Sequence, residues 1–310
     1  MINQIDGLHH ITSLASDAQE NNGFFTQVLG LRRVKKTVNF DRPEVYHLYY
    51  GDEVGTPGSV MTYFPIPDIA KGHAGTGEVG TTVFSIPEGS LAYWQDRLEG
   101  LGIENLTQAV RFGETRLGFR GPDGDGFALV EQREDERAPW SGSDIENDFA
   151  IRGFHSAALR LKDPDATAEL LEFMGYERQE SEENHHRFRV AGGNGADIID
   201  ISAMPGTEAA EQGAGSVHHI AFSVRDRAAQ QNVRGALVDT GYSVTPVIDR
   251  DYFWAIYFRS PGGVLFEVST AEPGFDRDED KAHLGEALKL PTQHAHLRDT
   301  LERDLPPIAD

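Results

Sequence analysis

Apolar and polar positions follow the same order four times along the chain. Each repeat opens with a short apolar segment, continues with an amphipathic segment that ends at glycine, and closes with an apolar run entered through a Gly-rich turn. The openings stand at residues 7, 80, 153 and 216, which are 73, 73 and 63 residues apart. A long period with one internal order indicates repeated structural units. The pattern therefore predicts four modules of the same design.

Periodicity also predicts the elements within a module. In the first module, residues 7–13 predict a strand, and 17–29 predict a helix with Asp17 as N-cap and Gly30 just past its end. Three strands follow at 31–38, 45–50 and 59–64, so the order is β-α-β-β-β. The opening strand, helix and closing strand recur at 80–86, 90–101 and 126–131, at 153–159, 165–174 and 196–201, and at 216–222, 226–240 and 264–269.

The modules divide the chain into two halves. Residues 1–135 hold the first pair of modules and residues 150–271 hold the second pair. The charged segment 136–149 has no apolar period and is predicted to be a linker. Residues 272–310 lie outside the repeat and are predicted to pack on the fold as a C-terminal extension, with a last helix over 294–305. The expected fold class is α+β.

Composition narrows the chemistry that these modules can carry. The chain has no cysteine, so disulfides and thiolate metal sites are excluded and any metal needs nitrogen and oxygen ligands. The net charge of −22 disfavours nucleic acids and anionic membranes as partners. No 18-residue apolar run and no signal-peptide pattern occurs, so a cytoplasmic protein is expected. Only six of the 28 cationic residues are lysine, and this acidic, lysine-poor composition favours a halophilic origin over an ordinary acidic cytosolic protein.

Adjacent histidines mark the opening strands of the first and fourth modules. These strands carry His9-His10 and His218-His219, and the closing strand of the fourth module carries one carboxylate, Glu267. Successive side chains on a strand point to opposite faces. This parity places His219 and Glu267 on one face, opposite the bulky residues that pack on the helix.

The parity of the first strand is less informative because the stretch is short. His10 shares its predicted face with Leu8 and Thr12, and His9 shares the other with Ile11. By analogy with His219, we assign His10 as the ligand.

Two imidazoles and a carboxylate suit a divalent metal with open positions. A carboxylate inside an apolar strand is costly to bury unless a cation accompanies it. This donor set suits Fe(II), and also Mn(II) or Zn(II). A single histidine on a strand is more often a core or surface residue, and that interpretation is given to His73, His185, His186, His283, His294 and His296.

At this level of detail the chain resembles the vicinal oxygen chelate superfamily, which includes glyoxalase I, bleomycin-resistance proteins and type I extradiol dioxygenases. It most resembles the hydroquinone ring-cleaving dioxygenases, of the 2,6-dichlorohydroquinone 1,2-dioxygenase type. The matching stretches extend over nearly the whole chain: 8–12, 46–49, 52–58, 60–62, 111–113, 152–156, 186–190, 217–219, 257, 261–264, 266–267, 274–275 and 278–280.

The resemblance implies a fold and a set of roles. The four βαβββ modules would form two open-barrel halves, with the first and fourth modules building the site. The implied iron ligands are His10, His219 and Glu267. Tyr257 matches an active-site tyrosine close to the metal. The residues that match the surroundings of substrate and oxygen are His9, Thr12, His218 and Arg250. His155 lies in a matching stretch without an assigned role.

The implied activity is an Fe(II)-dependent cleavage of a hydroquinone-type aromatic with O2, giving a ring-opened semialdehyde or maleylacetate-type acid. Asp249 and Asp251 depart from the neutral neighbours of the corresponding arginine in the chlorohydroquinone enzymes, which leaves the substrate open. Two alternatives remain: a glyoxalase-like isomerase or thiol transferase, and a non-catalytic aromatic-binding protein. The expected partners are a small aromatic substrate and O2, with homo-oligomerisation and a lid over 276–300 left open.

Overall fold

The computed structural model describes residues 2–309, and the four predicted modules are present in it. The elements of the first are β1 (Ile5–Ala15), α1 (Ala18–Gly23), β2 (Arg32–Val38), β3 (Tyr46–Gly51) and β4 (Val60–Pro65). The second has β5 (Glu78–Pro87), α2 (Leu91–Gly100), β6 (Thr107–Arg111), β7 (Glu114–Arg120) and β8 (Gly126–Gln132). The third has β9 (Gly153–Leu161), α3 (Asp165–Phe173), β10 (Tyr176–Glu182), β11 (His185–Val190) and β12 (Ile198–Ala203). The fourth has β13 (Val217–Val224), α4 (Arg227–Asp239), β14 (Ile248–Asp249), β15 (Phe253–Arg259) and β16 (Leu265–Pro273).

Local signals account for the helix ends. The Asp17 carboxylate accepts a hydrogen bond from the Glu20 amide at 2.7 Å, as predicted for an N-cap. The first helix is shorter than predicted, because its last turn, Phe24–Val28, is π-helical. The C-terminal segment departs further from expectation. A 3₁₀ turn spans Thr292–Leu297, and the last helix, α5, covers only Arg298–Asp304.

Hydrogen bonding between strands pairs the modules across the two halves of the chain. The first sheet has the order β14-β15-β16-β13-β1-β4-β3-β2 and joins the fourth module to the first. The second sheet has the order β10-β11-β12-β9-β5-β8-β7-β6 and joins the third to the second. This confirms the α+β fold of two open half-barrels, in which each half-barrel takes one module from each half of the chain.

Two glycines allow the opening strands of the first and third modules to pack closely against the facing modules. Gly7 has a φ of +122°, and a Cβ there would approach the Ala196 carbonyl oxygen at 2.7 Å. The equivalent Gly153 has a φ of +135°, and a Cβ there would meet the Gly58 carbonyl oxygen at 2.9 Å. Beside them, the Leu8 amide donates to Ala196 and the Phe154 amide donates to Gly58, each at 2.7 Å. A side chain at either glycine would separate the opening strand from the facing module.

The core fills the space between sheets and helices. On α4, Ala229, Val233 and Leu237 are buried against the fourth module, where Phe222 and Phe266 belong to the same cluster. The face of β13 and β16 that carries the bulky residues therefore packs against α4, as the sequence predicts. None of the helices within residues 2–309 is long and apolar enough to cross a bilayer.

Asp125, which lies in the turn before β8, gives the fold a pH dependence. Its carboxylate accepts a hydrogen bond from the Tyr63 hydroxyl of β4. Burial raises the pKa of Asp125 to about 6. The native state thus holds this proton more tightly than the unfolded chain, where aspartate titrates near 4. The contribution of Asp125 to stability therefore falls by about 3 kcal/mol as the pH rises from about 4 to about 6.

We expect Asp125→Asn, which keeps an acceptor for Tyr63, to remove this fall. The measurement is the free energy of unfolding of both proteins in denaturant across this pH range. The exposed substitution Asp239→Asn is the control and should leave the wild-type slope unchanged. Parallel curves for wild type and Asp125→Asn would contradict the assignment.

Candidate metal centre and substrate cavity

Strand pairing in the first sheet brings three predicted ligands together. The central strand β13 pairs antiparallel with β1 and parallel with β16. Ala221 is the cross-strand partner of both His10 and Glu267, and His219 is the partner of Thr12. Of the His, Asp and Glu side chains within residues 2–309, His10, His219 and Glu267 form the group whose donor atoms all lie within 4.8 Å of one another.

A bulge in β1 corrects the predicted faces of the first strand. Leu8 pairs with Phe222 and His10 pairs with Ala221, so one extra residue of β1 stands between successive residues of β13. Leu8 therefore packs with Phe222 in the core, whereas His10 lies on the opposite face, lining the cavity. The prediction that Leu8 and His10 share a face was wrong, because strict alternation fails at a bulge.

The donor atoms have the spacing that one ion requires. Glu267 Oε2 lies 2.8 Å from His219 Nε2 and 3.5 Å from His10 Nε2, and the two imidazole nitrogens are 3.3 Å apart. Ligands on one face of an octahedron with bonds of about 2.1 Å are about 3 Å apart. Glu267 is fully buried, and within residues 2–309 its Oε2 has no hydrogen-bond partner. The residues therefore fit a divalent cation.

Electrostatics favour the metal-binding protonation states of Glu267 and His219. Burial opposes ionisation of Glu267, but His10 and His219 outweigh it and hold the pKa of the carboxyl well below its usual range. Burial lowers the pKa of His219, against the pull of Glu267. An ionised carboxylate beside neutral imidazole is the form that binds a metal. The other Glu267 oxygen accepts a hydrogen bond from the Ser269 hydroxyl, which orients the carboxylate.

The preceding histidines orient both imidazoles. His9 Nδ1 lies 2.9 Å from His10 Nδ1, and His218 Nδ1 lies 2.8 Å from His219 Nδ1. When Nε2 binds a metal, Nδ1 carries the proton, so each metal-side histidine donates to the histidine before it. His9 then carries its proton on Nε2 and donates it to the Thr270 carbonyl at 3.1 Å. Burial lowers the pKa of His9 to about 3 and that of His218 to about 4, so both are neutral acceptors.

A cavity of about 480 Å³ opens beside the three donors. Arg250 and Tyr257 stand in its wall, with Arg250 Nε donating to the Tyr257 hydroxyl at 3.2 Å. Burial, followed by the charge of Glu267, raises the pKa of Tyr257 well above its usual value, so its hydroxyl keeps its proton. The remaining wall is mostly apolar and includes Leu14, Val38, Phe40, Phe64, Ile66, Phe253 and Leu265.

Two further residues of this cavity were missed by the sequence-based assignment. His47 lies between two partners, with Nε2 2.8 Å from Thr62 Oγ1 and Nδ1 2.8 Å from the Tyr49 hydroxyl. Thr62 in turn lies 2.9 Å from Thr12 Oγ1, so four side chains form one hydrogen-bonded chain. Burial lowers the pKa of His47 well below its usual value. Both His47 and Tyr49 lie in the stretch 46–49 that resembles the family. Their spacing in the sequence is not typical of metal ligands, so neither residue was selected.

Of the other residues considered from the sequence, Asp251 lines the cavity, whereas His155 and Asp249 lie outside it. His155 lies in the second sheet and contacts Glu114 at 3.0 Å, so it does not reach the first cavity. Asp251 lines the cavity and forms an ion pair with Arg277 at 3.2 Å, whereas Asp249 is exposed. The added carboxylate at 251 is therefore partly neutralised. Of the segment 276–300, Pro291 reaches the cavity wall, and the next residue, Thr292, donates to Asp251.

Comparisons with known proteins identify relatives of this chain. The family model for the glyoxalase/bleomycin resistance protein/dioxygenase superfamily matches residues 7–130 and 153–268. The chain is 44% identical over 302 residues to a Bacillus subtilis protein named "Putative ring-cleaving dioxygenase MhqO", covering 97% of this chain and 96% of that one. It is 35% identical over 316 residues to the chlorohydroquinone/hydroquinone 1,2-dioxygenase of Sphingobium indicum, covering 97% and 96%.

A solved structure extends the agreement to three dimensions. The crystal structure titled as a putative dioxygenase from Bacillus subtilis superposes with a TM-score of 0.95 at 42% identity, over 99% of this chain and 98% of that one. The family match spans all four modules, and these relatives are matched over nearly their full lengths. The chain therefore belongs to the glyoxalase/bleomycin resistance protein/dioxygenase superfamily.

Proposed function

We propose that the protein is an Fe(II)-dependent dioxygenase that cleaves the ring of a hydroquinone-type aromatic with O2, to give a semialdehyde or maleylacetate-type acid. The observation that carries the proposal is a convergent His-His-Glu donor set at one end of an apolar cavity of about 480 Å³. Three protein ligands leave positions open for substrate and O2. The names of the relatives support ring cleavage as the reaction class.

The chain would bind the aromatic ring through its cavity wall and hold the reacting groups near the donors. Phe64 and Phe253 offer flat apolar contacts to a ring. The paired Arg250 and Tyr257 side chains are donors that stabilise negative charge developing on substrate oxygen. Bound Fe(II), held by His10, His219 and Glu267, would supply the means of bringing O2 into reaction with the ring. The same donor set accepts Mn(II) or Zn(II).

A glyoxalase-like activity is less well supported by the ligand set. The position equivalent to Glu267 in the first module is Thr62, since Thr62 pairs with Thr12 as Glu267 pairs with Ala221. Thr62 bonds to Thr12 and His47 and brings no carboxylate. A fourth protein ligand, usual in glyoxalase-type sites, is thus missing from the equivalent position.

The decisive test is anaerobic reconstitution with Fe(II), followed by hydroquinone and its chlorinated or methylated derivatives. We expect one O2 consumed per ring cleaved, measured with an oxygen electrode, together with a new product absorbance. Protein reconstituted with Zn(II) is the control and should not consume O2. If iron binds and none of these phenols consumes O2, the dioxygenase proposal fails and isomerase assays follow.

Tyr257→Phe is expected to retain iron but to turn over about tenfold to 100-fold more slowly, because one hydrogen bond to a charged group is lost. Iron content and kcat measured on the same sample check this. Tyr242→Phe, which lies on the core side of the fourth module, is the matched control. Loss of iron in step with activity would instead assign Tyr257 to metal binding.

A further inference from the structure

The second sheet has a cavity of its own, at the position that is equivalent to the metal centre of the first sheet. Ser156 and Ala128 both pair with Val83, as His10 and Glu267 both pair with Ala221. Thr81 pairs with Ala158, as His219 pairs with Thr12. The three ligand positions are thus occupied by serine, threonine and alanine, which cannot hold a divalent ion. The cavity beside them has about 340 Å³.

Three arginines line this second cavity in a protein of net charge −22. Arg111 lies on β6, and Arg116 and Arg120 lie on β7. Arg116 pairs with Ala109, two residues before Arg111, so both guanidinium groups project from one face of neighbouring strands. Phe112, in the turn between β6 and β7, is partly exposed and adds an apolar surface to the same wall.

Two carboxylates beside the cavity, Asp200 and Glu114, form ion pairs with Arg116 and Arg187 but not with Arg111. Asp200 accepts from Arg116 at 2.8 Å and from Arg187 at 2.8 and 3.1 Å. Glu114 accepts from Arg187 at 2.9 Å and contacts His155.

Arg111 and Arg116 still have donors without an acceptor. Arg111 Nη1 and Arg116 Nε are buried and lack a hydrogen-bond acceptor among residues 2–309, where the Arg111 side chain forms no ion pair. Unpaired buried donors of a charged group are unfavourable, so the two guanidinium groups are incompletely satisfied by the protein itself.

A strained aromatic residue stands at the rim. Phe112 forms the β6–β7 turn with Gly113 and has a φ of +52°, in the left-handed region that a bulky side chain rarely adopts. Its amide donates to Glu182 at 2.8 Å, and the Arg187 guanidinium lies 4.4 Å from its ring centre. Glycine or asparagine would form this turn without strain. Strain of this kind is often retained where a side chain serves a ligand.

We propose that this second cavity binds a small organic carboxylate with a flat apolar body. The carboxylate is held by Arg111 and Arg116, which match its planar geometry, and the apolar body lies against Phe112. A carboxylate ligand would differ in charge from the neutral phenols proposed for the first cavity. The proposal does not depend on the metal or on the chemistry proposed above.

The test is isothermal titration calorimetry of the full-length protein with benzoate as the probe. We expect saturable 1:1 binding, weakened at least tenfold in Arg111→Gln, equivalent to about 1.4 kcal/mol. Arg111 is the chosen site because its side chain supports no ion pair. Arg178→Gln, which removes one exposed arginine from the edge strand β10 of the same sheet, is the matched control and should bind as wild type.

Three further titrations separate the outcomes. Arg250→Gln should not alter benzoate binding; if it abolishes binding while Arg111→Gln does not, benzoate occupies the first cavity and the proposal is overturned. Phe112→Asn, which suits the turn but removes the ring, should weaken benzoate binding. Sulfate should bind more weakly than benzoate. Equal binding of sulfate, or no saturable binding of benzoate, would also overturn the proposal.

Discussion

Replacement of Glu267 by glutamine is expected to abolish metal binding and activity together. The side chain is fully buried between His10 and His219, and its Oε2 has no hydrogen-bond partner among residues 2–309, as expected of a metal ligand. Glutamine keeps the shape but removes the negative charge that offsets a divalent ion. Loss of an outer partner of a metal ligand already costs about 10–100-fold in affinity, so loss of a ligand charge should cost at least about 100-fold.

Stability offers a readout that is independent of turnover. A ligand that binds only the native state, present at 100 times its dissociation constant, adds about 2.7 kcal/mol. Anaerobic Fe(II) should therefore raise the unfolding midpoint of the wild type, and a chelator should reverse the rise. Glu267→Gln should show neither change. Glu272→Gln is the matched control, because it lies on the same strand with its side chain exposed. A Glu267→Gln protein that is iron-replete and active would remove this residue from the ligand set.

Replacement of Lys35 by methionine is expected to destabilise the protein by about 3–5 kcal/mol, the usual cost of breaking a buried ion pair from one side. Lys35 has no exposed surface and lies on β2. Its ammonium group pairs with Asp278 at 2.7 Å and with Glu279, and it lies 4.7 Å from the centre of the Tyr252 ring. Without the lysine, the Glu279 carboxylate, which is 4% exposed, remains buried without that charge partner.

The loss should concentrate in the C-terminal extension, because these contacts attach it to the first sheet. Limited trypsin digestion checks this, with faster cleavage at Arg277 and Lys281 expected in the variant. Lys162→Met, an exposed lysine, is the control and should digest as wild type. Adding Glu279→Gln to Lys35→Met should recover part of the stability, because it removes the orphaned charge. If the double variant is no more stable than the single one, packing rather than charge accounts for Lys35.

Local patterns in the sequence were sufficient to predict the four modules and to place His219 and Glu267 on one face of their strands. Alternation, helix caps and glycine stops act over a few residues, so strand and helix positions follow directly from them. His219 and Glu267 were placed on one face correctly because the pairing of β13 with β16 is unbroken from Ile220 to Val224. The family resemblance, rather than the spacing, indicated that the first module meets the fourth.

Some of the candidate site depended on distant contacts. His10 reaches the face of His219 through a bulge, and the two residues are 209 positions apart in the chain. His47 and Tyr49 enter the site because β3 pairs with β4 and carries them to Thr62.

The sequence by itself thus determined the four modules, the absence of thiolate ligands and the candidate ligand types, since these depend on residue identity and short periods. Only the tertiary structure decided which strands are neighbours, where alternation breaks and which buried polar atoms lack partners. The physical reason is that strand pairing depends on hydrogen bonds and packing between segments that are far apart in the chain. The side-chain periodicity of one strand does not indicate which other strand pairs with it.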